Sequence, residues 1–220
     1  MVNETQFFGI DPAAGHPERA LALAYAHADA RQGLLAVFAL DQTLARLTLG
    51  TRDSMVAQLR LTWWREALCA LANEPTPSQP ILQALSAARA NGVTLAIAED
   101  GWERLLRPMD EADLLHFANE RGVIFVEAAR LAGAPDDVGS AGSGWSLADL
   151  AQTTADPDLA RRATSLAIPL LKQAAAQRWS PAGRFLGAMV HVAAADLRKQ
   201  RTAGSPVRVG RLAWHRLTGR

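Results

Sequence analysis

An all-α, single-domain fold of about nine or ten helices is what this sequence predicts, and three observations carry the prediction. Alanine fills 44 of the 220 positions, beside a single Tyr and few β-branched runs. It is the best helix former and a poor strand filler, so a β-sandwich or barrel is excluded. Apolar residues recur at helical spacing in segment after segment, and the breaks between segments carry Pro, Gly, Asp or Asn where helix ends want them. Hydrophobic residues make up 49% of the chain and charged residues 20%, enough for a core without disulfides and too few charges for a disordered chain.

Pro17 suits a first helical turn, and ERALALAYAHA follows it. Asp29 is the expected cap of ARQGLLAVFALDQTLARLTL, which stops at Gly50. Its Leu34, Leu35, Phe38, Leu44 and Leu47 share a face. Asp53 or Ser54 opens SMVAQLRLTWWREALCALA, which the turn NEPTPSQP closes. ILQALSAARA ends at Asn91-Gly92, and a short piece from Glu99 to Arg107 precedes Pro108. Asp110 begins the longest periodic stretch, EADLLHFANERGVIFVEAARLAG, which reaches Gly133. After Ala134-Pro135 comes VGSAGSGWSLADLAQ, rich in small residues. Pro157 starts DLARRATSLAIPLLKQAAAQR, with a kink expected at Pro169, and Pro181 starts AGRFLGAMVHVAAADLRKQR. Gly204-Ser205-Pro206 breaks the chain before VRVGRLAWHRLTG. No repeat period or long linker divides it; residues 1–17 read as an extension and 18–220 as one helical domain.

One cysteine, Cys69, excludes a disulfide framework and a thiolate metal cluster, and a buried inert thiol is expected there. No apolar run reaches the ~18 residues of a membrane span, and MVNETQFFGIDP lacks the pattern of a secretory signal. The expected location is the cytoplasm. The net charge of +1 hides an asymmetry: residues 198–220 carry seven basic residues and no acid, leaving 16 basic against 22 acidic residues elsewhere. A basic end on an acidic body suits an anionic membrane surface or an acidic protein, or is simply a solvated tail. Within it, Arg208, Arg211 and His215 form one stripe of an expected amphipathic helix. No helix-turn-helix signature accompanies it, so nucleic acid is not an expected partner.

Generic chemistries find little support. His16, His27, His116, His191 and His215 fall in separate segments without HxxxH or HExxH spacing. Gly139, Gly142 and Gly144 follow no strand and precede no P-loop Lys, and Ser143 does not complete a GxSxG elbow. Small residues in that helix are better read as allowing close packing. Trp63 and Trp64, about 100° apart on a helix, cannot share an environment; one in the core and one on a groove is the modest reading.

In order and spacing, five stretches resemble the squalene/phytoene synthase family: ALAYAHADARQGLLAVFALDQTLARL; MVAQLRLTWWREAL with its Trp64-Arg65-x-x-Leu68 element; GWERLLRPM followed by DLLHFANERGVIFVEAARLAG; GSGWSLADLAQ; and SPVRVGRLAWHRLTGR. Together they cover roughly residues 18–218. The resemblance implies an isoprenoid-synthase-like bundle around a central cavity that holds a prenyl diphosphate or lipid. Active members condense two prenyl diphosphates, using Mg²⁺ held by paired acidic motifs on facing helices. Here the positions of the first motif fall near Ala45 and Leu49, with Asp41 alone one turn earlier. At the second, Thr153 and Gln152 stand where an aspartate and an arginine are expected, Asp149 where the family has asparagine, and Asp156 and Asp158 flank Pro157. So few carboxylates argue against tight binding of a Mg²⁺–diphosphate cluster.

The resemblance is then closest to a branch that has lost these aspartates, whose mitochondrial member is an assembly factor for respiratory complex I; Phe38, Leu44 and Ala45 match its FxxxxxLA stretch. It implies a bacterial relative of that branch: a non-catalytic assembly or isoprenoid/lipid-binding factor, peripheral to the inner membrane, without a cofactor. The alternative is an active head-to-head prenyltransferase with a degenerate site, where Asp41, Asp149 and Asp156 hold Mg²⁺ and Arg65 assists the diphosphate. A third reading is a plain interaction module with a filled core. The candidate catalytic residues are Asp41 and Asp149, and the candidate substrate-binding residues are Trp64, Arg65 and Glu120; no metal ligand set is assigned. The plainer alternatives are exposed carboxylates for Asp41 and Asp149, core packing for Trp64, an interhelix ion pair for Arg65, and a surface acid beside Arg121 for Glu120.

Overall fold

Aspartate, asparagine and proline set most of the helix starts. In the computed structural model, which describes residues 17–50, 53–73, 75–198, 210, 214, 215, 218 and 219, Asp53 accepts from the backbone N–H groups of Met55 and Val56 and opens its helix. Asp110 and Asp113 form a capping box, and Asp156 accepts from Asp158 and Leu159 N–H. Nine helices result among the described residues: α1 Pro17–Leu23, α2 Ala28–Leu49, α3 Ser54–Ala70, α4 Pro80–Ala87, α5 Gly92–Arg104, α6 Glu111–Ala132, α7 Gly139–Thr153, α8 Pro157–Ala176 and α9 Arg184–Arg198. No strand occurs among these residues. The fold is all-α and a single domain. Replacing Asp156 by Ala removes the cap of α8 and is expected to cost about 1 kcal/mol of stability, read by urea unfolding.

Each of α5, α6, α7 and α8 packs on the next, with α3 beside α5 and α2 across α4, α5 and α6. The alanines explain how closely the helices approach. On α8, Ala163, Ala167, Leu171 and Ala174 form one buried stripe, and the backbone of Gly144 on α7 lies against Leu170 and Leu171. Where α6 crosses α7, a Cβ on Gly142 would stand 2.4 Å from the Gly122 carbonyl oxygen. The small-residue tract is thus a helix–helix contact.

Four boundaries differ from expectation. The chain turns at residues 24–27, so α1 ends at Leu23, short of the expected ERALALAYAHA segment, and α2 starts after His27, ahead of the expected cap, without a side-chain cap. Asp29 lies inside its first turn. α5 starts at Gly92, not Glu99: the Asn91 side chain accepts from Thr94 N–H. A Cβ on Gly92 would lie 2.0 Å from the Leu68 carbonyl oxygen. The Asn-Gly pair therefore starts a helix that leans on α3, where local chemistry suggests a turn. α9 starts at Arg184, not Pro181, after a turn at residues 181–183, whereas α8 runs through Pro169 as expected for its segment. Pro17, placed in the expected extension, begins α1; the rest of that extension, and nearly all of the basic end at 198–220, lie outside the described residues. No helix among the described residues is long and apolar enough to cross a membrane.

Candidate functional site

Residues Gly33 to Leu40 of α2 are buried without a break, and Asp41 follows them into the core at 0% exposure. A carboxylate there must be neutralised or matched by donors. Both occur. Trp102 Nε1–H of α5 donates to its Oδ1 at 3.0 Å. Arg121 of α6, 1% exposed, grips it with two prongs, Nε to Oδ1 at 2.9 Å and Nη2 to Oδ2 at 2.8 Å. The same Nη2 donates to Asp149 Oδ2 of α7 at 2.7 Å, and Nη1 donates to the Ser146 carbonyl at 3.2 Å. Asp149 accepts in turn from Arg19 of α1 at 3.2 Å. The candidate carboxylates Asp41 and Asp149 are therefore brought together, joined by one guanidinium.

Aromatic rings close this centre. The Arg121 guanidinium lies 4.4 Å from the Trp102 ring centroid and 4.6 Å from that of Trp145, with Arg19 5.1 Å from Trp145. Phe38 meets Phe125 and Trp145 edge-on. These buried side chains stand where α2, α5, α6 and α7 meet. Two arginines and two aspartates sum to zero charge. Burial opposes the charge on Arg121, but the carboxylates of Asp41 and Asp149 outweigh it and hold its pKa above the ordinary range. Arg19 goes the other way: burial lowers its pKa, against the pull of Asp149 and Asp41. The arrangement is a locked ion-pair chain that holds one carboxylate of each helix against a protein cation.

The other candidates lie apart from it. Trp64 is buried on α3 and meets exposed Trp63 edge-on at 5.3 Å. Arg65, 48% exposed, pairs with Asp100 of α5 and reaches Glu99 Oε2 at 3.7 Å. Glu120 takes both prongs of Arg104, at 2.5 and 2.6 Å. It lines a groove of about 560 Å³ with Ser54, Gln58, Asp100, Glu103 and Arg107. Asp156 caps α8 and Asp158 pairs with Arg161, so both have local roles. Cys69 is exposed, contrary to expectation, because it lies on the solvent side of α3, away from the Trp64–Leu68 face. Ser143 donates to Asn119 Oδ1 at 2.8 Å and to the Gly139 carbonyl. The rings of His191 and His215 meet with centroids 4.6 Å apart and planes tilted by 53°.

Arg19, Trp102, Arg121 and Trp145 escaped sequence reasoning, although a signal existed. Phe117, Arg121 and Phe125 are four apart, which puts Arg121 on the apolar stripe of α6; a charge on such a stripe demands a buried partner. Trp145 and Asp149 repeat the spacing on α7.

Glu99 supplies a pH dependence. Burial, and then the neighbouring charge of Glu103, push its carboxyl up to about 7 despite Arg65. The folded chain then holds a proton that the unfolded chain, at ~4.3, has released. Its contribution to stability is therefore lost as pH rises from about 4 to 7. Denaturant unfolding in EDTA across that window is expected to show the decline, and Glu99→Gln to flatten it.

Searches of protein-family models, curated proteins and solved structures found no match to this chain.

Proposed function

We propose that this protein is a non-catalytic bundle of the squalene/phytoene synthase kind that acts by binding a partner, as an assembly factor, rather than by prenyl transfer. One observation carries the reading: the two facing carboxylates, Asp41 and Asp149, are bridged by Arg121 at 2.8 and 2.7 Å inside an aromatic box. Active members of the family need divalent cations between such helices to ionise a diphosphate. Here a side chain of the protein supplies the positive charge. A metal ion at Asp41 would have to expel a guanidinium that makes four donor contacts in the core. The ion-pair chain and aromatic rings between these helices favour a surface function over a lipid held at that place. α3 turns Met55, Leu59 and Trp63 outward at four-residue spacing, and α5 exposes Val93 and Ile97. Such apolar exposure suits contact with a partner. The basic residues of 198–220 would add attraction to an anionic membrane surface or an acidic protein.

Incubating the protein with labelled farnesyl diphosphate and Mg²⁺ tests the reading. No incorporation into a larger hydrocarbon is expected. Product above the level of a heat-denatured control overturns the proposal and returns Asp41 and Asp149 to the catalytic role of the alternative.

A further inference from the structure

On the α3-facing side of α5, three carboxylates converge where the sequence suggested no ligand. Glu99, Asp100 and Glu103 each place one oxygen within 4.8 Å of the others. They belong to one turn of α5, at i, i+1 and i+4, and are separate from the Asp41–Arg121–Asp149 centre. Acidic clusters are common on surfaces, but one member here is not a surface group. Glu99 is 1% exposed, and its Oε2, on the side of the Arg65 nitrogen that also meets Asp100, is buried and makes no hydrogen bond. A desolvated carboxylate oxygen without a donor is costly unless a proton or a cation meets it. Arg65 meets it only at 3.7 Å, because its guanidinium is engaged with Asp100. Gln58 donates to Glu103 Oε1 at 2.8 Å and fixes that carboxylate without adding charge. Three negative charges against one arginine leave the cluster at −2 when all are ionised. The groove of about 560 Å³, which Asp100 and Glu103 line, gives solvent a route to it.

We propose that Glu99, Asp100 and Glu103 bind a hydrated divalent cation of the Mg²⁺ or Mn²⁺ class, with Arg65 as the resident competitor that swings aside. The donor set is all oxygen, which suits hard cations and not thiophilic ones. Waters from the groove complete the octahedron, as such ions prefer when few carboxylates are offered. Arg65 is half-exposed on a long flexible stem, so its displacement breaks only a surface pair of small worth.

Titration of the full chain with Mn²⁺, followed by the EPR signal of the free ion at pH 7.5, tests the site without any prenyl diphosphate. One ion bound with a dissociation constant below about 1 mM is expected. Glu99→Gln and Asp100→Asn should each weaken it at least tenfold, and Arg65→Ala should strengthen it severalfold, since the competing charge is gone. Circular dichroism of each variant confirms folding, and Glu99→Gln loses no packed volume. Absence of binding below 1 mM overturns the proposal, as does binding that Glu99→Gln leaves unchanged. Neither result bears on whether the chain transfers prenyl groups.

Discussion

Replacing Arg121 by Met is expected to destabilise the protein by about 3–5 kcal/mol, or to abolish folding, because it leaves Asp41 buried at 0% exposure with an uncompensated charge. Trp102 would remain as a donor to Asp41, and Asp149 would keep its pair with Arg19. Chemical denaturation of the purified variant measures the loss. The same reasoning predicts strong coupling. A buried ion pair contributes little net stability against an apolar replacement of similar volume, since desolvation cancels most of its Coulombic gain. Asp41→Leu combined with Arg121→Met should therefore cost less than Arg121→Met alone. A double variant at least as unstable as the single one would contradict the description of the centre as a self-neutralised pair.

Gly142→Val is expected to cost about 3 kcal/mol, because a Cβ there overlaps the Gly122 backbone at 2.4 Å and no flexible side chain can yield. The added branch would push α7 away from α6, the two helices that carry Asp149 and Arg121. The loss should therefore exceed that of an ordinary surface substitution on α7 such as Gln152→Ala, and thermal unfolding of both variants makes the comparison. Equal midpoints would mean that α6 and α7 are not in close contact at this glycine pair.

Local signals made the helices legible because they are local in origin. Asp53, Asp110 and Asp156 cap the helices they precede, and Pro80 and Pro157 sit in first turns. Such pairings need nothing from the rest of the fold. Gly92 shows where this fails. Asn-Gly is a turn signal in isolation, and only the approach of α5 to the Leu68 carbonyl makes a glycine necessary inside a helix. The site divides in the same way. That Asp41 and Asp149 stood on helices was readable; that they face one another across Arg121 is set by how α2, α6 and α7 cross, which periodicity alone does not specify. Glu99 was hidden for a related reason. Its burial comes from the packing of α3 on α5, while its immediate neighbours, Asp100 and Glu103, suggest a solvated face.

On the proposed reading, Arg121 takes the place of metal ions between the two carboxylate-bearing helices. Calorimetric titration of farnesyl diphosphate, first with Mg²⁺ and then with EDTA, tests it most directly. No binding, or binding indifferent to EDTA, is the predicted result. Binding that requires Mg²⁺, persists in Glu99→Gln and is lost in Asp149→Asn would contradict the claim, because the metal would then be acting where Arg121 now stands.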